Sequence, residues 1–152
     1  MLKIQFYIPQ TTIELENSRN PDKLTMDELL YWTFETEIEF IDTEANSSLL
    51  SIPEAAFFQI IRALSNARRQ FVSAEKVEIF ARDREGSYDL IVKKKEEIIE
   101  ICDNFHSIEF QVDLVDFIKA VEPFIKSAFK ELEAKFPKLL LNKNYQELKA
   151  IL

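Results

Sequence analysis

Apolar and polar residues alternate in several stretches of the chain and repeat at helical spacing in two others. Leu2, Ile4, Phe6 and Ile8 fall on one side of an extended segment that ends at Pro9, the period of a strand buried on one face. Residues 9–23 hold Pro, Asn, Ser and Thr with little periodicity and read as a loop. Thr25-Met-Asp-Glu28 has capping-box spacing ahead of Leu29, Leu30 and Trp32, which predicts a short helical turn. From Thr33 to Asp42, Phe34, Ile38 and Phe40 face one way and Glu35, Glu37 and Glu39 the other. A turn at Thr43–Ser47 leads to a second strand, Ser48–Ile52. Pro53 at a first helical position and Ser51-x-x-Glu54 as a capping box predict a helix reaching about Arg69, with Phe57, Ile60, Ile61 and Leu64 on its buried stripe.

Period two returns at Val77, Ile79 and Ala81 and, past the turn Asp83–Ser87, at Tyr88, Leu90 and Val92. Lys93–Lys95 reads as the next turn, Ile99 and Ile101 as another strand, and Ile108–Val112 as one more. Asp113 is placed to cap a long helix, 114–136, carrying Leu114, Phe117, Val121, Phe124, Ile125, Ala128, Phe129 and Leu132 at helical spacing. Pro123 is expected to kink or split it, because proline removes a backbone donor and clashes with the preceding turn. Asn144-x-x-Glu147 is placed to cap a last short helix. This order predicts an α+β fold: a single antiparallel sheet of five to seven strands, with the mid-chain helix and the proline-kinked C-terminal helix on one face.

Length adds that 1–152 is one domain, because a 17.9 kDa chain exposes about 26,000 Å² unfolded and about 8,000 Å² folded. A core buried to that extent needs no disulfide or metal, and thirteen phenylalanines suit a sheet–helix gap filled by large rings. The net charge of −8 argues against nucleic acid or an anionic membrane as partner. Residues 1–50 carry three basic and ten acidic side chains, net −7, so the acidity is concentrated. No apolar run approaches the ~20 residues of a membrane span, and MLKIQFYIPQ has no signal-peptide pattern, so a cytoplasmic location is expected.

Scarcity of certain residues excludes much chemistry. A single glycine, Gly86, leaves no phosphate loop, dinucleotide fingerprint or nucleophile elbow. A single cysteine and a single histidine exclude disulfides, thiolate zinc sites and multi-histidine sites. Cys102 and His106 stand four apart, but no orienting group or oxyanion hole accompanies them, so a small strand residue and a turn residue are the better reading. Asp42-x-Glu44-x-Asn46 opens like a calcium loop, yet Ser47 and Pro53 replace the required glycine and glutamate, which leaves a polar hairpin turn. Asp22 with Glu133-x-Lys135 has the residue types of a metal-dependent nuclease, but Glu133 belongs to the long helix. Arg82, Arg84 and Lys93–Lys95 surround one hairpin and would suit a phosphate, although Asp83, Glu85, Glu96 and Glu97 balance them. No cofactor, metal or catalytic residue is expected.

Glu35, Glu37 and Glu39 stand out, since at strand rise they lie about 6–7 Å apart on one face. Like charges in a row weaken a strand unless cations or a partner offset them. Asp27, Glu28, Asp42 and Glu44 are expected to extend the patch.

The stretch Thr33–Pro137 resembles small acidic bacterial proteins of uncharacterised or immunity type. The likeness lies in the strand EIEFID, the helix PEAAFFQIIRAL, the meander VEIFARDREGSYDLIVKKKEEIIEIC and the helix DLVDFIKAVEPFIKSAFKELEAKFP. It implies a non-enzymatic protein that neutralises a toxin by binding it, and it transfers no functional residue. The expected function is an interaction domain binding a basic protein through Glu35, Glu37, Glu39, Asp42 and Glu44. The alternatives are a small-ligand binder or enzyme with a pocket near Tyr31, Trp32, Tyr88 or His106, and a homodimer built on the long helix.

Overall fold

The alternating segments pair as two separate antiparallel ladders. In the computed structural model, which describes residues 1–82 and 89–152, β1 (Leu2–Tyr7), β2 (Glu35–Asp42) and β3 (Ser47–Ala56) form a three-stranded sheet in that order. β4 (Glu78–Arg82), β5 (Asp89–Lys95), β6 (Ile98–Cys102) and β7 (Ile108–Asp113) form a four-stranded one. The fold is α+β, but the expected single sheet of five to seven strands is corrected to two sheets. Alternation decides which face of a strand is buried and leaves its neighbour undetermined. Here α2 (Phe57–Phe71) separates β3 from β4, and β4 pairs forward with β5. The sheets share one core, in which Phe40 of β2 and Phe110 of β7 meet with ring centroids 5.5 Å apart.

Helices α2 and α3 (Leu114–Lys135) close that core. Phe57 and Phe124 join them at 6.2 Å, Phe71 and Phe117 at 6.1 Å, and Phe6 of β1 packs 5.0 Å from Phe57. Of the two outcomes expected of Pro123, a kink or a split, the split does not occur: α3 runs on through it. It lies on the exposed face, as does Lys119, so the carbonyl deprived of its usual donor is free to meet water. In α4 (Lys143–Ile151), Tyr145 places its ring 6.0 Å from Phe58 and 6.1 Å from Phe129. The accessible surface, 8152 Å², is close to the value expected from chain mass.

Local readings change where polar contacts outweigh the apolar pattern. Residues 10–18 form α1 (Gln10–Ser18) and not a loop. Its inward residues are Thr12 and Glu16, four apart, so an apolar stripe is missing although one face is buried. Thr12 Oγ1 donates to the Glu35 carbonyl at 2.8 Å. Pro53 belongs to β3 and not to a helix start, and the pair Ser51–Glu54 caps nothing. Thr36 pairs with Ala55 and Ile38 with Ile52, so Pro53 and Glu54 together oppose Glu37 in a β-bulge. A bulge on an edge strand accommodates proline's missing N–H. Lys93–Lys95 continues β5, and the turn falls at Glu96-Glu97. The expected turn Asp83–Ser87 and Tyr88 lie outside the described residues.

Caps divide similarly. Thr25 and Glu28 form the expected box, with Thr25 N–H donating to Glu28 Oε2 at 2.7 Å and Glu28 N–H to Thr25 Oγ1 at 3.2 Å. The helix after Asp113 starts without a side-chain cap, and α4 is capped by Asn142 instead of Asn144.

Candidate functional site

β2 is the central strand of the smaller sheet, and its pleat sends alternate side chains to opposite sides. Thr36, Ile38 and Phe40 are buried, while Glu37 is exposed and Glu35 and Glu39 are half-buried on the outer face. On β1, Gln5 stands opposite Glu39 and Tyr7 opposite Glu37, and on β3, Ser51 stands opposite Glu39 and Ala56 opposite Glu35. Gln5 Nε2 donates to Glu39 Oε2 at 2.9 Å. The register partners of Glu37 and Glu39 are thus Tyr7, Gln5 and Ser51, and none of these is a cation. The bulge adds Glu54, exposed and opposite Glu37.

The outer face is not flat. A depression of 110 Å³ opens among Gln5, Tyr7, Glu37, Glu39 and Ser51. Tyr7, 59% exposed, also borders a cleft of 360 Å³ shared by the start of α1 and the end of α3. Glu131 and Lys135 form the α3 side of that cleft.

Asp42 and Glu44 sit at the far end of β2 and play a different part. Asp42 Oδ1 accepts from the N–H groups of Glu44 at 2.9 Å and Ala45 at 3.4 Å. These backbone donors hold the Asp42 carboxyl below its usual range. The calcium-like spacing Asp42-x-Glu44-x-Asn46 is thus a hairpin turn, closed by Asn46 in the left-handed region at φ 50°. The Met1 amino group lies 3.6 Å from Asp42 and 3.8 Å from Glu44.

The remaining candidates are dispersed. Cys102 is buried, and burial pushes its thiol pKa up, the opposite of what a nucleophilic thiolate needs. His106 is in an exposed turn, with Nδ1 3.8 Å from Glu78 Oε1. Tyr31 and Trp32 are exposed, and neither lines the clefts described. Glu133 accepts from the Tyr145 hydroxyl at 2.8 Å and from Lys149 Nζ, a structural tie between α3 and α4. Arg82 pairs with Asp89 at 3.0 Å, at the opposite end of the hairpin from Lys93–Lys95. Among the described residues no group of His, Cys, Asp and Glu is arranged to hold a metal, and no helix is long and apolar enough to cross a membrane.

Sequence reasoning left Gln5, Tyr7 and Glu54 out of the acidic face. Alternation puts Gln5 and Tyr7 on the polar side of β1, but only the β1–β2 register brings them against Glu39 and Glu37. Compared with protein-family models, with characterised proteins and with solved structures, the chain matches none.

Proposed function

We propose that the protein is a non-enzymatic interaction domain, of immunity or antitoxin type, that binds a basic protein through the outer face of the smaller sheet. The observation that carries this reading is the row Glu35, Glu37 and Glu39 on the outer face of a central strand, where Glu37 and Glu39 stand opposite Tyr7, Gln5 and Ser51. Such a row costs strand stability in isolation and gains from a cationic partner. The depression between Glu37 and Glu39 suits a lysine or arginine side chain from the partner. Tyr7 beside it offers an amphipathic ring for cation–π contact, the kind of residue that dominates interface energetics. Asp42 is committed to its turn and serves the rim of the surface with Glu44.

The test uses the product of the gene adjacent to this one as bait. Wild-type protein is expected to capture it with an affinity that falls as salt rises. The variant carrying Glu35→Lys, Glu37→Lys and Glu39→Lys is expected to lose it. Capture by that variant at full affinity would sink the surface.

A further inference from the structure

β1 is an edge strand: β2 pairs with one side of it, and among the described residues no strand pairs with the other. Thr43 N–H donates to the Met1 carbonyl at 2.9 Å, so the odd-numbered residues of β1 are those that exchange hydrogen bonds with β2. The N–H and C=O groups of Leu2, Ile4 and Phe6 therefore point away from β2. Among the described residues no hydrogen bond from another element reaches them. Such an edge is a template for a further strand.

The two faces beside this edge differ in chemistry. On the outer face, Gln5 and Tyr7 lead across to Glu39 and Glu37 around the depression of 110 Å³. On the inner face the core is open at the end of β1. Phe6 packs 5.0 Å from Phe57 and 5.8 Å from Phe124, yet it is only half-buried. With Ile8 and Ile13 it lines the cleft of 360 Å³ that reaches Glu131 and Lys135. A strand laid along β1 sends alternate side chains to these two places. Those on the outer face start about 10 Å from β2, two strand spacings, within the joint reach of a lysine or arginine and a glutamate. One on the inner face enters the cleft beside Phe6. Acidity on one face and an apolar opening on the other select one occupant, an extended segment in which basic and apolar residues alternate.

We propose, resting on the reading of the outer face as a partner surface, that the basic partner docks by adding an antiparallel strand to the free edge of β1. Its basic residues lie over Glu37 and Glu39, and an apolar residue fills the cleft. Main-chain hydrogen bonds to Ile4 and Phe6 supply affinity, and the two pockets fix the register. Exposed Lys3 disfavours a cation at the start of the strand, so the partner's cations gather toward Tyr7.

The probe is a synthetic peptide with blocked ends, Lys-Val-Arg-Val-Lys-Val-Arg, followed by NMR amide exchange. Saturable binding is expected with a Kd of about 1 mM or tighter. Exchange at the Ile4 and Phe6 amides is expected to slow about tenfold once roughly nine-tenths of the protein is bound. Residues directly opposite share a side-chain direction, so the peptide's valines are those that exchange hydrogen bonds with Ile4 and Phe6. N-methylation of the valines is expected to weaken binding about tenfold or more, and N-methylation of the basic residues to leave it unchanged. The proposal is overturned if no saturable binding occurs, if the two methylated peptides bind alike, or if a second copy of β1 already protects those amides in the free protein. Binding that is lost in Glu37→Lys, Glu39→Lys but leaves Ile4 and Phe6 exchanging as before overturns the added strand and keeps the acidic face. Binding undiminished in that variant overturns the acidic face itself.

Discussion

The side-chain amide of Asn142 donates to the carbonyl of Pro21 at 2.8 Å, joining residues 121 positions apart. The same nitrogen donates to the Leu24 carbonyl at 2.9 Å, and the side-chain oxygen accepts from Tyr145 N–H at 3.1 Å as the cap of α4. Asn142 is 1% exposed, so its truncation would leave the Pro21 carbonyl and the Tyr145 N–H without this partner, while the Leu24 carbonyl would keep its bond from Asn144 at 3.1 Å. Asn142→Ala is therefore expected to cost about 2–4 kcal/mol. Asn142→Asp should cost more, because a carboxylate would face two carbonyls. Urea unfolding at constant m-value measures both.

The Glu133 site predicts the pH dependence of stability. Lys149 first, and then Tyr145, hold the Glu133 carboxyl below its ordinary value by donating to it. The unfolded chain then binds the proton more readily, so this contribution is complete above the unfolded value of about 4.3 and is lost as pH falls through the folded one. Tyr145 behaves oppositely: burial first, and Glu133 second, push its phenol far above the ordinary range. Its contribution is present below about pH 10 and is lost above it. Glu133→Gln should flatten the acid limb of a stability profile, and Tyr145→Phe the alkaline limb. Unchanged limbs in urea midpoints taken across pH would contradict this.

Glu96 offers a gain in stability. It lies in the turn between β5 and β6 with φ 55°, and it is exposed. The left-handed region costs a non-glycine residue about 1–2 kcal/mol, while glycine loses more freedom on folding. Glu96→Gly should therefore stabilise by about 0.5–1 kcal/mol, seen as a raised Tm. Phe34, at φ 56°, should respond in the opposite way. Its ring is fully buried between Phe58 at 5.3 Å and Phe136 at 4.9 Å. Losing it in Phe34→Gly is expected to cost about 3 kcal/mol or more despite the relieved backbone.

Charge reversal on the acidic face should leave the fold intact. Glu37 is exposed, so Glu37→Lys is expected to change stability by no more than about 0.5 kcal/mol. Glu39→Lys should cost slightly more, since it loses the hydrogen bond from Gln5. Circular dichroism and urea midpoints distinguish a lost surface from a lost fold.

Most elements were legible because one physical signal marked each. Ile38 and Phe40 against Glu37 and Glu39 declare the face of β2, and Phe117, Val121, Phe124 and Phe129 declare α3. Thr25 and Glu28 declared their cap. Where polar groups are buried the signal fails, as in α1, whose inward Thr12 and Glu16 hide its helix. Pro53 misled because a bulge on an edge strand suits proline as well as a helix start does. The split into two sheets was not legible, since no residue of β3 or β7 states which strand it will avoid. Glu35, Glu37 and Glu39 could be placed on one face from spacing alone, whereas Tyr7 joined them only through register. Lys94 was misread as a turn residue because its partner, the Phe71 carbonyl, carries no sequence signature.

The long reach of Asn142 has a consequence for the order in which the molecule is made. A chain grows from its first residue, and domains tend to organise from that end. Here the segment around Pro21 and Leu24 waits for a residue synthesised some 120 positions later. Contacts so distant in sequence slow folding, because the loop must close before they contribute. The segment around Pro21 and Leu24 is therefore among the last parts of the fold to be latched, since its partner precedes only the final helix.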